Sequence, residues 1–455
     1  MPGKLTLDEL KQAVLLGEID TVIAAHTDMQ GRLMGKRFQA GFFLETAVEE
    51  THCCNYLLAV DMEMEPVPGY KSASWEQGYG DYVMRPDLST LRRIPWLPGT
   101  ALVLCDLLDH ATHAEVPQAP RAILKRQIAR LAAHGLTPMM ATELEFFLFR
   151  DSYEAARAKG FRDLASVTGY NADYAIYLTS KEEEVMRAIR NGLNGADIPV
   201  ENSKGEASIG QEEINIRYAD ALVMADRHAI LKNGIKEIAL QKGHAATFMA
   251  KWNYALAGSS AHIHQSLRNA AGAPAFHDPA AEHGMSELMC QYLAGLLHHA
   301  EAITLCLAPY INSYKRFIAG TFAPTRVCWS TDNRTAGFRV CGAGTKSVRV
   351  ECRIGGADLN PYLALAGQIA AGLDGIENRR SLEPEFKGDA YAAKEVRQIP
   401  ATLRDAMAAF ERSEMVRAAF GGDVVEHYVH AARWEQFEYD RRVTDWEVHR
   451  GFERA

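Results

Sequence analysis

Apolar residues along this chain recur in separate blocks, some at every second position and some at helical spacing, and the blocks predict a mixed architecture. Residues 20–40 (DTVIAAHTDMQGRLMGKRFQA) read as two short strands joined by a turn around Gly31. Residues 48–100 are rich in Gly, Pro and Tyr and read as loops rather than regular elements. ALVLCDLL at 101–108 has the length of a strand, and HATHAEVPQAP after it reads as a linker. A domain boundary is therefore expected near residue 113, dividing the chain into 1–113 and 114–455. A helix opens at Pro120, with Ile123, Leu124, Ile128 and Leu131 at helical spacing and Gly135 ending it. PMMATELEFFLF follows as a strand. Two further long helices are expected at 219–242 and 361–377, the second with Asn360 as its cap and Pro361 in its first turn. Strands and helices interleave without a regular βαβ repeat, so the pattern predicts an α+β fold.

Composition mainly excludes. A chain of 455 residues suits one small and one large domain better than a single core. A formal net charge of −9 provides no electrostatic ground for binding nucleic acid or an anionic membrane. No apolar run approaches the ~20 residues of a membrane span. The opening MPGKLTLDELKQ lacks the apolar segment of a signal peptide, so a cytoplasmic protein is expected. The eight cysteines form no CxxC pair and read as reduced, mostly buried thiols.

Candidate chemistry sits on strand-like segments with charged or imidazole side chains at i, i+2, which a strand places on one face. Glu143 and Glu145 flank Leu144; His262 and His264 flank Ile263; Arg349, Glu351 and Arg353 alternate with Val350 and Cys352. A fourth segment, GEASIGQEE, puts Glu206 and Glu213 on either side of a bend containing Gly210. Singly, each reads as the solvated face of a half-buried strand. Together, carboxylates in excess, imidazoles and several arginines are what hard divalent cations bridging phosphates require. There is no Walker A loop, GxSxG elbow or GxGxxG behind a strand, so phosphate binding would rely on side chains and metal. His262-x-His264 alone would also suit a metal-dependent amidohydrolase, which the glutamate-rich pattern disfavours.

In this order the segments resemble the glutamine synthetase family. The likeness rests on ATELEFFLF, GEASIGQEEI, ATFMAKWNYALAGSSAHIHQSL, NSYKRF, DNRTAGFR, VRVECR and NPYLALAGQIAAGLDGI, spread over most of residues 20–380. The resemblance implies an N-terminal β-grasp domain, a catalytic domain of the glutamine synthetase type, and active sites between subunits of hexameric rings, two of which stack into a homo-dodecamer. It implies ATP and Mg²⁺ (or Mn²⁺) as cofactors, and glutamate and an amine as substrates. One metal site falls on Glu145, Glu206 and Glu213, the other on Glu143, His262 and Glu351. His264, Ser266, Arg339 and Arg349 fall beside the nucleotide, and Arg334, Arg339 and Arg353 on its phosphates. Arg316 and Gly258 match positions that hold glutamate. Asp81, and less closely Asp61, match acidic positions lent to a neighbour's amine site.

One departure bears on the acceptor. Ammonia-using members carry a glutamate on the flap after NSYKR; here that flap is FIAGTFAP and the matching residue is Phe322. A phenyl ring removes a cation site and a base and adds a surface for apolar groups. The branch indicated is that of γ-glutamyl-amine (γ-glutamyl-putrescine, alkylamine or arylamine) synthetases, with an apolar amine favoured over a polyamine and ammonia least. Trp252, where proline usually follows the lysine, would add to an aromatic amine pocket or else belong to the core.

Overall fold

The computed structural model of the protein describes residues 3–455. Its N-terminal part holds a five-stranded sheet of β1 (Thr21–Thr27), β2 (Leu33–Gln39), β3 (Thr51–Cys54), β4 (Asp81–Arg93) and β5 (Thr100–Asp109), in the order β2-β1-β5-β4-β3. β1 and β5 run parallel and the other neighbours antiparallel. The stretch 48–100, expected as loops, therefore contains β3 and the 13-residue β4. The alternation of β4 is interrupted: its buried halves, Tyr82–Met84 and Thr90–Arg92, flank a half-buried middle where its register against β5 shifts. Pro86 and Asp87 in that middle hide the strand from a pattern search.

The second sheet has nine strands: β6 (Leu136–Phe149), β7 (Val200–Gly205), β8 (Gln211–Ile216), β9 (Ala219–Asp220), β10 (Ala245–Thr247), β11 (Ala261–Asn269), β12 (Trp329–Thr331), β13 (Phe338–Cys341) and β14 (Arg349–Cys352). The main path is β12-β13-β14-β11-β6-β8-β7, with β9 and β10 pairing to β6. Helices Pro120–Ala132, Ala221–Gln241, Glu287–Leu307 and Pro361–Glu377 accompany it. The expected caps are present: Pro120 opens its helix, and Asn360 accepts from the amide of Tyr362. Asn360 also donates to the carbonyls of Asp28 and Met29, tying the β1–β2 turn to the large sheet's helices.

One face of the large sheet is backed by helices and the other is left for chemistry. The odd-numbered residues of β11 face the helices: Gln265 bonds Gln368 at 2.7 Å and receives the Tyr292 hydroxyl at 2.8 Å. Thr142 on β6 meets His228 at 2.9 Å in the same layer. Glu143, Glu145, His262 and His264, displaced by one residue, must then stand on the opposite face. No helix among the described residues is long and apolar enough to cross a membrane.

Candidate active site

Antiparallel register brings together groups that lie far apart in the chain. His262 is directly opposite Glu143 across β11 and β6, and Glu213 opposite Glu145 across β8 and β6. His264 and Arg339 both stand opposite Glu351, from β11 and β13. Lys204 on β7 is opposite Glu213. Directly opposed residues on a sheet are close enough for their side chains to interact, so one face carries an unbroken row of ionisable groups from β13 to β7.

Two clusters of possible metal-ligand atoms form on this row, each within 4.8 Å: Glu143, His264 and Glu351, and Glu145, Glu206 and Glu213. Sequence reading assigned the first cluster to His262, with His264 beside the nucleotide. The structure brings both imidazoles to it: His262 Nδ1 lies 3.3 Å from Glu143 and 3.4 Å from Glu351, and His264 Nε2 lies 2.8 Å from Glu143. Arg349 Nε donates to His264 Nδ1 at 3.1 Å, which leaves Nε2 as the nitrogen that points at the carboxylate.

The two clusters differ electrostatically. In the first, burial works against ionisation, but hydrogen bonds from His262 and His264 hold Glu143 far below the usual carboxylate range. Glu351 is likewise held at about 2 against burial, chiefly by Arg353 and the two imidazoles. In the second, burial and neighbouring carboxylates push Glu145 up to about 7 and Glu213 up to about 8. Glu145 is pinned there by the amide and hydroxyl of Ser260, at 2.8 and 2.5 Å. Crowded buried carboxylates with oxygen donors and imidazoles are a donor set that fits a hard divalent cation. Arginines complete the row. Arg353 and Arg339 bond Glu351 at 2.5 and 3.1 Å, while the Nε of each is buried without a partner. An unpaired buried N–H is costly, and an anion such as a phosphate would satisfy it.

Two cavities meet at this row, and Glu143, Asn202 and Asn215 line both. The larger, about 960 Å³, is lined by both carboxylate clusters and by Gly258, His262, Arg316, Phe322, Arg334, Arg339 and Arg353. The smaller, about 620 Å³, contains His264, Ser266 and Arg349 beside Tyr218 and Phe276. Arg316 is fully buried and donates to the carbonyls of Arg353 and Ile354 at 2.8 and 3.1 Å, and burial pushes its guanidinium down to about 10. A side chain at Gly258 would come within 2.6 Å of Arg316 Cγ and 2.5 Å of the Ala250 carbonyl, so only glycine fits beside it. Phe322 has φ +58 and remains 57% exposed at the mouth.

Three expected residues lie elsewhere. Trp252 does not line the cavity: it packs edge-on against Phe149 at 4.9 Å, near Phe147. Those phenylalanines continue the Glu143–Glu145 face of β6 beyond the carboxylates, so Trp252 covers the apolar end of that face. Asp81 stands exposed at the start of β4 in the small sheet. Asp61 accepts the amides of Glu63 and Glu65 at 3.0 and 2.9 Å in a separate turn. Neither aspartate reaches this chain's own cavity. Sequence reading missed Asp173, Tyr174 and Lys204, which line the larger cavity. Asp173 and Tyr174 belong to no charged strand pair, and only the fold sets them beside Glu206; Lys204 stands at i, i+2 from Glu206 at the end of β7, and that spacing was the signal that could have found it.

This sheet, with carboxylate–imidazole clusters and arginines at the junction of two cavities, defines a ligase of the glutamine synthetase family. The chain belongs to that family: residues 117–451 match the model described as glutamine synthetase, catalytic domain. Among its relatives is a γ-glutamylethanolamide synthetase of Streptomyces coelicolor, 50% identical over 451 residues, 99% of this chain and 96% of that one. A glutamate–isopropylamine ligase of a Pseudomonas species is 37% identical over 435 residues, 95% of each chain. The glutamine synthetase of Thermus thermophilus is 35% identical over 384 residues, 81% of this chain and 84% of that one. Among solved structures, ligand-free GmaS superimposes with a TM-score of 0.86 at 28% identity, covering 98% of this chain and 100% of that one. A GmaS complex with ADP gives 0.85 at 28% identity, covering 97% and 99%.

Proposed function

We propose that this chain is an ATP-dependent ligase that joins the γ-carboxyl group of glutamate to an organic amine through γ-glutamyl phosphate. The observation that carries this reading is Phe322 at the mouth of the cavity that holds both carboxylate clusters and the arginines. The amine-ligating relatives support it, and their acceptors favour a short alkylamine. The two carboxylate clusters would hold Mg²⁺ or Mn²⁺, which would supply the positive charge that neutralises phosphoryl oxygens. The smaller cavity takes the nucleotide beside His264, Ser266 and Arg349. Arg334, Arg339 and Arg353, which line the adjoining larger cavity, would receive its γ-phosphate. Glutamate lies in the larger cavity against Gly258 and Arg316. In the ring assembly, a homo-dodecamer in the cytoplasm, Asp81 and Asp61 of a neighbouring copy add an acidic wall to the amine entrance. Their absence from this chain's own cavity is consistent with that placement.

The test is product formation with ATP, glutamate and either ammonium, short alkylamines, arylamines or polyamines, read by mass spectrometry. A γ-glutamylamide from an alkylamine is expected; glutamine from ammonium and no γ-glutamylamide from any amine would reject the reading. Within the site, Arg353→Ala is expected to lower kcat far more than it raises the Michaelis constant for ATP. Arg353 is 4% exposed, lines the larger cavity and keeps its Nε–H buried without a partner, so that N–H is available to the charge that grows during phosphoryl transfer. Steady-state kinetics varying ATP checks this: a change in the Michaelis constant alone would place Arg353 on the resting nucleotide.

A further inference from the structure

An alkylamine reaches a neutral solution as its ammonium ion, and the ion must lose a proton before its nitrogen can attack. The flap offers a phenyl ring at position 322, so the proton acceptor lies elsewhere. The acidic residues lining the larger cavity are Glu143, Glu145, Glu206, Glu213, Glu351 and Asp173. All of these except Asp173 belong to the two cation clusters. Resting on the reading of the chain as a glutamate–amine ligase, we propose that Asp173 is the catalytic residue that binds the amine acceptor's ammonium and takes its proton.

The loop that carries Asp173 is built onto the cluster. Asn171 donates to the Ala207 carbonyl at 3.2 Å and accepts the Asp173 amide at 2.9 Å. A side chain at Gly205 would come within 2.6 Å of the Ala172 carbonyl, so the loop lies flat on the end of β7. Tyr174 is held at φ +55, a conformation that costs energy outside glycine and recurs where function demands it. Lys204 Nζ lies 3.1 Å from Asp173 and 4.4 Å from the centre of the Tyr174 ring, and pairs on its other side with Glu206. These are the charged groups that face Asp173, with Glu213 behind Lys204. The Asp173 side chain keeps 39% of its surface exposed and is reachable by a ligand.

The arrangement does two things to an entering ammonium. Asp173 attracts it, while the fixed charge of Lys204 disfavours a second cation and so favours loss of its proton. The Tyr174 ring and Ile176 offer apolar surface for the carbon skeleton. In the step itself, the nitrogen lone pair forms the C–N bond to the γ-carbonyl carbon of γ-glutamyl phosphate. The C–O bond to phosphate breaks with its electron pair. Of the two protons the nitrogen gives up, one passes to Asp173 and on to water, and the other leaves with the phosphate as hydrogen phosphate.

Hydroxylamine separates this role from a structural one, because it is largely uncharged at neutral pH and needs no such base to become nucleophilic. The experiment compares γ-glutamylamide formation from isopropylamine or ethanolamine with γ-glutamyl hydroxamate formation, under one set of conditions. Asp173→Asn is expected to lower alkylamide turnover by on the order of 10²-fold, the lower range for a positioned base, and to leave hydroxamate within a few-fold of the unmutated protein. Asp173→Glu, which keeps the carboxylate, should recover part of the loss. Equal loss with both acceptors would make Asp173 a support for the loop and overturn the proposal, as would unchanged alkylamide formation. Selective loss of alkylamide in Asp61→Asn or Asp81→Asn, but not in Asp173→Asn, would give the proton to the neighbouring subunit instead. If the unmutated protein forms neither amide nor hydroxamate, it is the ligase reading that fails.

Discussion

Replacing Glu145 or Glu351 by alanine is expected to abolish γ-glutamyl phosphate formation, a loss of at least about 10²–10³-fold, as for removal of a single strong electrostatic partner in an active site. The two losses should differ in their effect on the fold. Glu351 is 1% exposed and neutralises Arg353 and Arg339, so its removal leaves buried positive charge and costs about 3–5 kcal/mol of stability. Glu145 sits among carboxylates that repel it, so its removal relieves the metal-free protein. The pH dependence follows from the same crowding. Glu145 is raised from 4.5 to about 7 by burial and Glu206, and Glu213 from 4.5 to about 8 by burial and the carboxylates of Glu145, Glu143 and Glu206. Their protonated forms are favoured in the native state, so their contribution to stability is fully present below pH 4.5 and lost as pH rises through those values. Metal-free protein should therefore lose thermal stability between about pH 5 and pH 8, and saturating Mg²⁺ should restore it. Glu212, raised to about 9 by burial and by Glu182 on the other side of β8, would keep a residual slope that Mg²⁺ does not remove. Thermal denaturation across this range, with and without Mg²⁺, is the measurement. A melting temperature indifferent to Mg²⁺, or near-normal activity in either variant, would remove the metal assignment.

Phe322→Glu is expected to weaken use of the alkylamine and to admit ammonia. The ring is more than half exposed and its φ is already positive, so a glutamate adds no new backbone strain and the fold should be unaffected. An alkyl group that removes about 50 Å² of apolar surface from water against the ring contributes about 1.3 kcal/mol, roughly tenfold in apparent affinity. The new carboxylate forfeits that contribution and supplies an anion to hold ammonium and take its proton. The expected outcome is about a tenfold rise in the Michaelis constant for the alkylamine, with glutamine appearing when ammonium is supplied. Unchanged acceptor kinetics in the variant would take Phe322 out of the acceptor site.

Much of the site was legible because each of its elements carries a local pattern. Charged residues at i, i+2 in ELE, HIH and RVECR require a strand with one reactive face, and the structure places all three on neighbouring strands. Phe322 was legible as a departure within a recognised block, and the fold places it at the cavity mouth. The helix at 361–377 was marked by Asn360 and Pro361, and its 14 buried residues needed no partner sequence to be recognised as core. The long β4 was not legible, because a register shift and Pro86 break the period that would reveal it. Trp252 was ambiguous from sequence, since an aromatic next to a charged face can line a cavity or close the apolar end of that face. Its packing on Phe149 decides for the latter.

The sequence by itself therefore determined the kinds of side chain available, the strands that present them and the α+β class, since these depend on alternation and capping within a few residues. The tertiary structure decided which groups meet. Pairing across β13, β14, β11, β6, β8 and β7 turns residues up to 208 positions apart (Glu143 and Glu351) into one row, and that register is a property of the whole sheet. It also decided that His264 joins the Glu143–Glu351 cluster, and that Asp61 and Asp81 stay out of this chain's own cavity. Asp173 reaches the cavity only because its loop folds onto the β7–β8 hairpin. Contacts between distant segments are set by the packing of everything between them, and no local pattern encodes that.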